Sequence, residues 1–202
     1  MNRAGRLPMK KHSKLFFLSV IYFLFTFISI RSYAAELQSI KVLYEDDNIN
    51  ITAIAYFEAN IDNVFDVFTN YDNLIAVSSI YKDSGWHSLD EAKEFGIGYT
   101  VVEACVLFWF CKTIRRTEEV AMERPQLVTT TVIDDDLAYG ETIWRFSELE
   151  RNTLLNFEMN FSPNFWVPPA IGPWILEQFI AYKSADTLDR IEDIANTQID
   201  SP

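Results

Sequence analysis

Arg115, Arg116, Glu118 and Glu119 fall together in the stretch "IRRTEEV", Ile114 to Val120. On an extended strand, successive side chains point to opposite faces. Arg116 and Glu118 therefore share one face, and Arg115 and Glu119 the other. One of the two pairs must point into whatever the strand covers. A buried guanidinium–carboxylate pair is ordinarily a structural ion pair, with Glu103 or Arg145 as a further partner. The sharper use of such a pair is to orient the polar head of a bound molecule.

Other candidates for chemistry carry less. Asp134, Asp135 and Asp136 form an acidic run. Hard-cation sites need several converging oxygens at defined offsets, and three adjacent acids do not supply them. The run reads as a solvated hairpin turn. His87 is the one histidine beyond residue 34, which argues against a Ser-His-Asp triad and against a zinc site. No catalytic residue, metal ligand or cofactor is assigned.

The two cysteines frame "CVLFWFC", Cys105 to Cys111. Their pairing depends on compartment, and the N-terminus addresses that. "MNRAGRLPMKKHSK" is basic without an acid, Leu15 to Ile30 is an apolar run of sixteen residues, and "RSYAAE" follows. That pattern is a secretory signal peptide, with cleavage expected before Ala35. The alternative is an uncleaved anchor, although a spanning helix needs roughly 20 residues. The expected location is the periplasm, where a Cys105–Cys111 disulfide is favoured. A straight strand would hold the two about 20 Å apart at ~3.3 Å per residue, whereas a disulfide needs Cα atoms within about 4.4–6.8 Å. Pairing thus requires a hairpin whose tip is Val106 to Phe110. The alternative is two reduced cysteines in one continuous strand.

Residues 1–34 carry six of the 17 Lys and Arg and none of the 29 Asp and Glu. Residues 35–202 are left with 11 basic and 29 acidic side chains, a formal charge of −18. Such a surface repels nucleic acid, which is excluded as a partner. The 168 residues suit one domain around one core.

The elements that must position these residues follow from periodicity. "NITAIAYFEA" (50–59) reads as a strand. Asn60 is a fair N-cap for a helix bearing Ile61, Val64, Phe65 and Phe68, and a second short helical turn follows through Leu74, Ile75 and Val77. Six strands are expected next, at Ile80–Ser88, Phe95–Ala104, Lys112–Ala121, Leu127–Asp134, Glu141–Leu149 and Thr153–Phe161. Short connections make them an antiparallel meander. "WILEQFIAYKSADTLDRIEDIAN" (174–196) closes the chain as a long helix with the stripe Leu176, Phe179, Ile180, Leu188, Ile191 and Ala195.

This order, with "AIAYFEANIDNVFDVFTNYDNLIAV", "DDDLAYGETIWRF" and "PNFWVPPAIGPW", resembles the START-like (helix-grip, SRPBCC) superfamily. The nearest branch is the polyketide cyclase/dehydrase and coenzyme Q-binding group, in an exported bacterial form. The resemblance implies an α+β helix-grip fold: a curved antiparallel seven-stranded sheet around a long C-terminal helix, with two short helices after the first strand. It also implies a cavity between sheet and helix for a hydrophobic small molecule such as a lipid, quinone or polyketide.

The expected ligand contacts are Arg116, Trp144, Phe146, Phe157, Phe161, Phe165, Trp166 and Phe179, each of the aromatic ones having core packing as its alternative. A hairpin at the cysteines makes the third and seventh expected strands run the same way. Leu107, Phe108, Trp109 and Phe110 then neighbour Phe165 and Trp166 at one end of the sheet, where they face a membrane or partner or else seal the end. Three functions are carried forward. An open apolar cavity favours a periplasmic carrier. Inward Arg116 and Glu118 converging with a tyrosine favour a polyketide cyclase/dehydrase-type enzyme. A filled core favours an interaction module that docks through its apolar end.

Overall fold

The computed structural model describes residues 35–45, 48–106, 110–135, 137–164 and 172–198. Residues 1–34, expected as a signal peptide, the expected hairpin-tip residues Leu107, Phe108 and Trp109, and Phe165 and Trp166 lie outside the described residues.

Eight strands form one antiparallel sheet: β1 (Glu36–Glu45), β2 (Asn48–Phe57), β3 (Tyr81–Asp90), β4 (Phe95–Val106), β5 (Phe110–Glu123), β6 (Leu127–Asp135), β7 (Leu137–Leu149) and β8 (Asn152–Pro163). Their spatial order is β1-β2-β8-β7-β6-β5-β4-β3. The expectation of seven strands is corrected by β1. Its apolar residues Leu37, Ile40, Val42 and Tyr44 do not keep a simple alternation, because a bulge falls between Leu37 and Ser39. The bulge shifts the phase by one residue and masks the period of two.

Between β2 and β3 the period changes to that of a helix. Helix α1 (Ile61–Thr69) opens on Asn60, whose side chain accepts from the Asp62 N–H at 2.9 Å, and it buries Val64, Phe65 and Val67. A 3₁₀ turn (Tyr71–Asn73) and the single-turn α2 (Leu74–Val77) complete this segment. Helix α3 (Gly172–Thr197) ends the described chain, and its close backbone packing is against β1, β2, α1 and α2. No helix among the described residues is long and apolar enough to cross a membrane.

The register assigns every side chain to a face. Ile49, Ile51, Ala55 and Phe57 of β2 are buried, and their β8 partners are Phe161, Met159, Leu155 and Thr153. Carrying that alternation across the sheet puts Trp144 and Phe146 on the same inner face, opposite Phe157 and Leu155. Two apolar clusters occupy this face. The larger joins Phe57, Phe65, Tyr71, Val120, Phe146 and the α3 residues Leu188, Ile191 and Ala195. The smaller joins Val42, Ile49, Ile51, Leu137 and Phe161, with Leu176 and Ile180 of α3 packed on it.

Candidate functional site

Inner-face alternation on β5 carries Ile114, Arg116, Glu118 and Val120, so the Arg116–Glu118 pair is the inward one. Arg115 and Glu119 are exposed on the other face. Glu118 is 1% exposed, and two side chains reach it. The Tyr71 hydroxyl donates to Glu118 Oε1 at 2.7 Å. An Arg116 terminal nitrogen lies 3.9 Å from the same oxygen. Arg116 Nε in turn donates to Thr100 Oγ1 at 3.2 Å, across the β4–β5 pairing.

Two glycines make the Tyr71 contact possible. Gly96 and Gly98 sit at alternate positions of β4 and so share the inner face. A Cβ on Gly98 would lie 2.5 Å from the Tyr71 ring, and one on Gly96 would lie 2.5 Å from Trp86. The two rings pack against each other at a tilt of 39°, with centroids 4.5 Å apart. Missing side chains on β4 thus leave the room that Tyr71 needs to reach past the strand to Glu118.

Burial pushes the Tyr71 phenol well above its ordinary pKa; the Glu118 charge and hydrogen bond add to the shift, and Arg116 opposes it. Loss of solvent also raises Tyr81, with Arg116 opposing and Glu118 adding. Both phenols stay protonated at ordinary pH, and Tyr71 is held as a donor. A phenol donor, a carboxylate and a guanidinium around one point can bind a polar group or move a proton.

Three buried polar atoms on this face have no hydrogen-bond partner among the described residues: Ser84 Oγ, Glu118 Oε2 and Thr130 Oγ1. Ser84 pairs with Thr100 in the β3–β4 register. Thr130 lies on β6 opposite Val120 of β5 and opposite Thr142 of β7. A fourth such atom, Asn160 Oδ1, belongs to the outer alternation of β8.

The expected ligand contacts divide as follows. Arg116, Trp144, Phe146, Phe157 and Phe161 share the inner face. Phe146 and Phe161 are buried in the larger and smaller clusters respectively, with Phe146 edge-on to Phe65 and Phe68. Trp144, Phe157 and the α3 residue Phe179 are half-buried. Tyr71, Tyr81, Ser84, Thr100 and Thr130 carry no periodic signal in the sequence that marks them as site residues. The pattern "FGIGYT" (Phe95–Thr100) held a usable signal for the first of these, since glycines two apart on a strand face mark where bulky groups approach.

Cys105 and Cys111 stand opposite each other in the β4–β5 register and are joined, with Cα atoms 3.9 Å apart. The hairpin follows, and four antiparallel pairings make β4 and β8 run the same way. The acidic run is split by a hairpin, β6 ending at Asp135 and β7 starting at Leu137, and Asp134 is exposed. On the outer face, a recess of about 320 Å³ is lined by His87, Tyr99, Val101, Arg115, Thr117 and Asp134 and borders Thr100 and Arg116. It does not hold the Tyr71–Glu118 centre.

No protein-family model and no curated protein sequence matches the chain. Solved structures do match in fold. A STAR-related lipid transfer protein fragment from Xanthomonas axonopodis superposes with a TM-score of 0.60 at 10% identity, covering 79% of this chain and 99% of that one. The Zhui aromatase/cyclase from Streptomyces sp. R1128 gives 0.58 at 13% identity, covering 75% and 96%. A START superfamily protein from Mycobacterium smegmatis gives 0.57 at 10% identity, covering 74% and 98%. At such identities the likeness is one of fold: an antiparallel sheet with a long C-terminal helix, as in START proteins.

Proposed function

We propose that this chain binds a hydrophobic small molecule, of lipid, quinone or polyketide-like character, between the inner sheet face and α3. The observation that carries the reading is the exposure of inward-facing side chains. Trp144, Phe157 and Met159 keep accessible surface although their faces are turned to the interior. A large apolar side chain that faces inward and still meets a water-sized sphere borders space rather than neighbours. The fold neighbours described as a lipid transfer protein and an aromatase/cyclase support the same use of the interior.

The setting we propose is the periplasm, after removal of residues 1–34; the Cys105–Cys111 bond supports an oxidising compartment. Exchange of the ligand would take place at the end of the sheet where β4 and β8 terminate, through transient contact with a membrane or a protein.

Native mass spectrometry of protein purified from its own host, followed by solvent extraction, tests the binding reading. A reproducible bound mass of lipid, quinone or polyketide character is expected. Protein that is empty in every preparation overturns the reading.

A second reading has its own observation. Arg116 and Glu118 point inward and converge with Tyr71, an arrangement that suits a cyclase/dehydrase-type enzyme. Under that reading the extracted molecule changes mass or absorbance on further incubation with wild-type protein and not with Glu118→Gln.

A further inference from the structure

The outer face of the sheet carries a recess that ligand binding in the interior does not use. In the strand registers, Gly85, Tyr99 and Thr117 stand side by side on β3, β4 and β5, and Asp134 follows on β6. Gly85 has no side chain, so the far end of the Tyr99 ring lies over it; a Cβ there would be 2.9 Å from a ring carbon. The Tyr99 hydroxyl donates to Asp83 Oδ1 at 3.3 Å, and the His87 ring stacks on Tyr99 with centroids 4.8 Å apart. Tyr99 is thereby drawn toward β3 and away from Thr117. The space this leaves is the recess of about 320 Å³, with Arg115, Thr117 and Asp134 across from the two rings.

The lining combines three kinds of group. Val101 and the His87–Tyr99 pair form a wall, Thr117 supplies a hydroxyl, and Arg115 and Asp134 supply one cation and one anion. We infer that the recess is a second binding site, separate from the interior, and that it takes a small zwitterion: an α-amino acid with an aromatic side chain. A ligand carboxylate matches the guanidinium fork of Arg115, and a ligand ammonium matches Asp134. Neither residue has to be free of other contacts for this. A guanidinium has five N–H donors and a carboxylate about four acceptor positions, and both side chains are exposed. Each can hold a ligand group beside its contacts within the protein.

Size and charge narrow the class. Sites for drug-sized molecules begin at about 300 Å³, so this recess suits a compact molecule and not a lipid chain. Residues 35–202 carry a formal charge of −18, which opposes the approach of a plain anion. A plain cation would have nothing to offer Arg115. A zwitterion meets both charges and adds none, and an aromatic side chain gains the most contact against the ring wall.

Isothermal titration of the purified protein with L-phenylalanine, 3-phenylpropanoate and 2-phenylethylamine at pH 7.5 tests the class, since the second lacks the ammonium and the third the carboxylate. Phenylalanine is expected to bind at least about ten-fold more tightly than either, the worth of one charge-assisted hydrogen bond. Equal or tighter binding of either analogue, or no binding of phenylalanine, overturns the zwitterion class. Phosphoethanolamine is a zwitterion without a ring and is expected to bind more weakly than phenylalanine; tighter binding would assign a phospholipid head group and overturn the amino acid. Arg115→Gln and Asp134→Asn are each expected to weaken phenylalanine by about ten-fold. Undiminished affinity in either variant overturns the two-charge site, as it would if phenylalanine entered the interior instead. Gly85→Ala pushes Tyr99 off β3 toward Thr117, so a similar loss is expected there. Unchanged affinity in a folded Gly85→Ala protein overturns this account of the recess, and the two charge variants decide the site should that protein not fold.

Discussion

Tyr71 shows how a single contact depends on residues far from it in sequence. Its hydroxyl reaches Glu118 because Gly98 has no side chain. Gly98→Ala would put a Cβ 2.5 Å from two ring carbons, so the ring must move and the 2.7 Å bond to Glu118 must break. Overpacking costs about 1–3 kcal/mol, and the lost charge-assisted bond costs about 1.5–3 kcal/mol. Gly98→Ala is thus expected to destabilise at least as much as Tyr71→Phe, which removes the hydroxyl alone. Urea unfolding of both variants measures this. A Gly98→Ala protein within about 0.5 kcal/mol of wild type would falsify the packing account. Alternation in "IRRTEEV" was enough to pair Arg116 with Glu118, because the period of a strand is two. Which pair faces inward was not legible there. That depends on the register with β4 and β6, and register is set by neighbours distant in sequence.

At the scale of elements, the helices and strands differed in how openly they declared themselves. The α3 stripe was legible because Leu188, Ile191 and Ala195 recur at helical spacing and are buried. β1 was not, since its bulge breaks the alternation, yet α3 packs closely on it. Helix α3 also buries an acid that its stripe gave no reason to expect. Glu192 is 8% exposed and accepts the Glu58 N–H at 2.7 Å. Burial raises its pKa, the Glu58 N–H opposes the shift, and the negative charges of Glu58, Asp189 and Asp193 add to it. An acid whose pKa is raised on folding stabilises the fold fully below its unfolded value of about 4.3. That contribution is lost as pH rises through the higher folded value. Glu192→Gln keeps an acceptor for Glu58 and removes the charge. Its melting temperature is expected to exceed that of wild type at pH 7.5 by a few degrees, roughly 2–4 °C per kcal/mol at this size. The gap should close near pH 4. A gap that is constant with pH, or one that widens on acidification, contradicts the burial of a charged Glu192.

The whole molecule carries its apolar interior in two unequal parts. Among the described residues, sixteen buried side chains make the larger cluster and five the smaller, so the two parts should not open together. Protection against local opening grows with the apolar contacts that opening would break. The smaller cluster lies between β1, an edge strand, and the first turns of α3, at the end of the sheet where β4 and β8 terminate. That is also the end proposed for ligand exchange, where easy opening serves the function. Native-state hydrogen exchange should therefore show β1 and residues 174–182 exchanging faster than α1 and the second half of α3. A ligand held between the inner sheet face and α3, as proposed, stabilises only the closed form. At a hundred times its dissociation constant it adds about 2.7 kcal/mol to the opening free energy. Saturation with the molecule extracted from host-purified protein should accordingly slow exchange in β1 and in the first half of α3 by up to about a hundred-fold. Exchange that is uniform over both halves of α3 without ligand would show a single cooperative core. Slowing confined to the larger cluster would place the bound molecule away from the Trp144–Phe157 face.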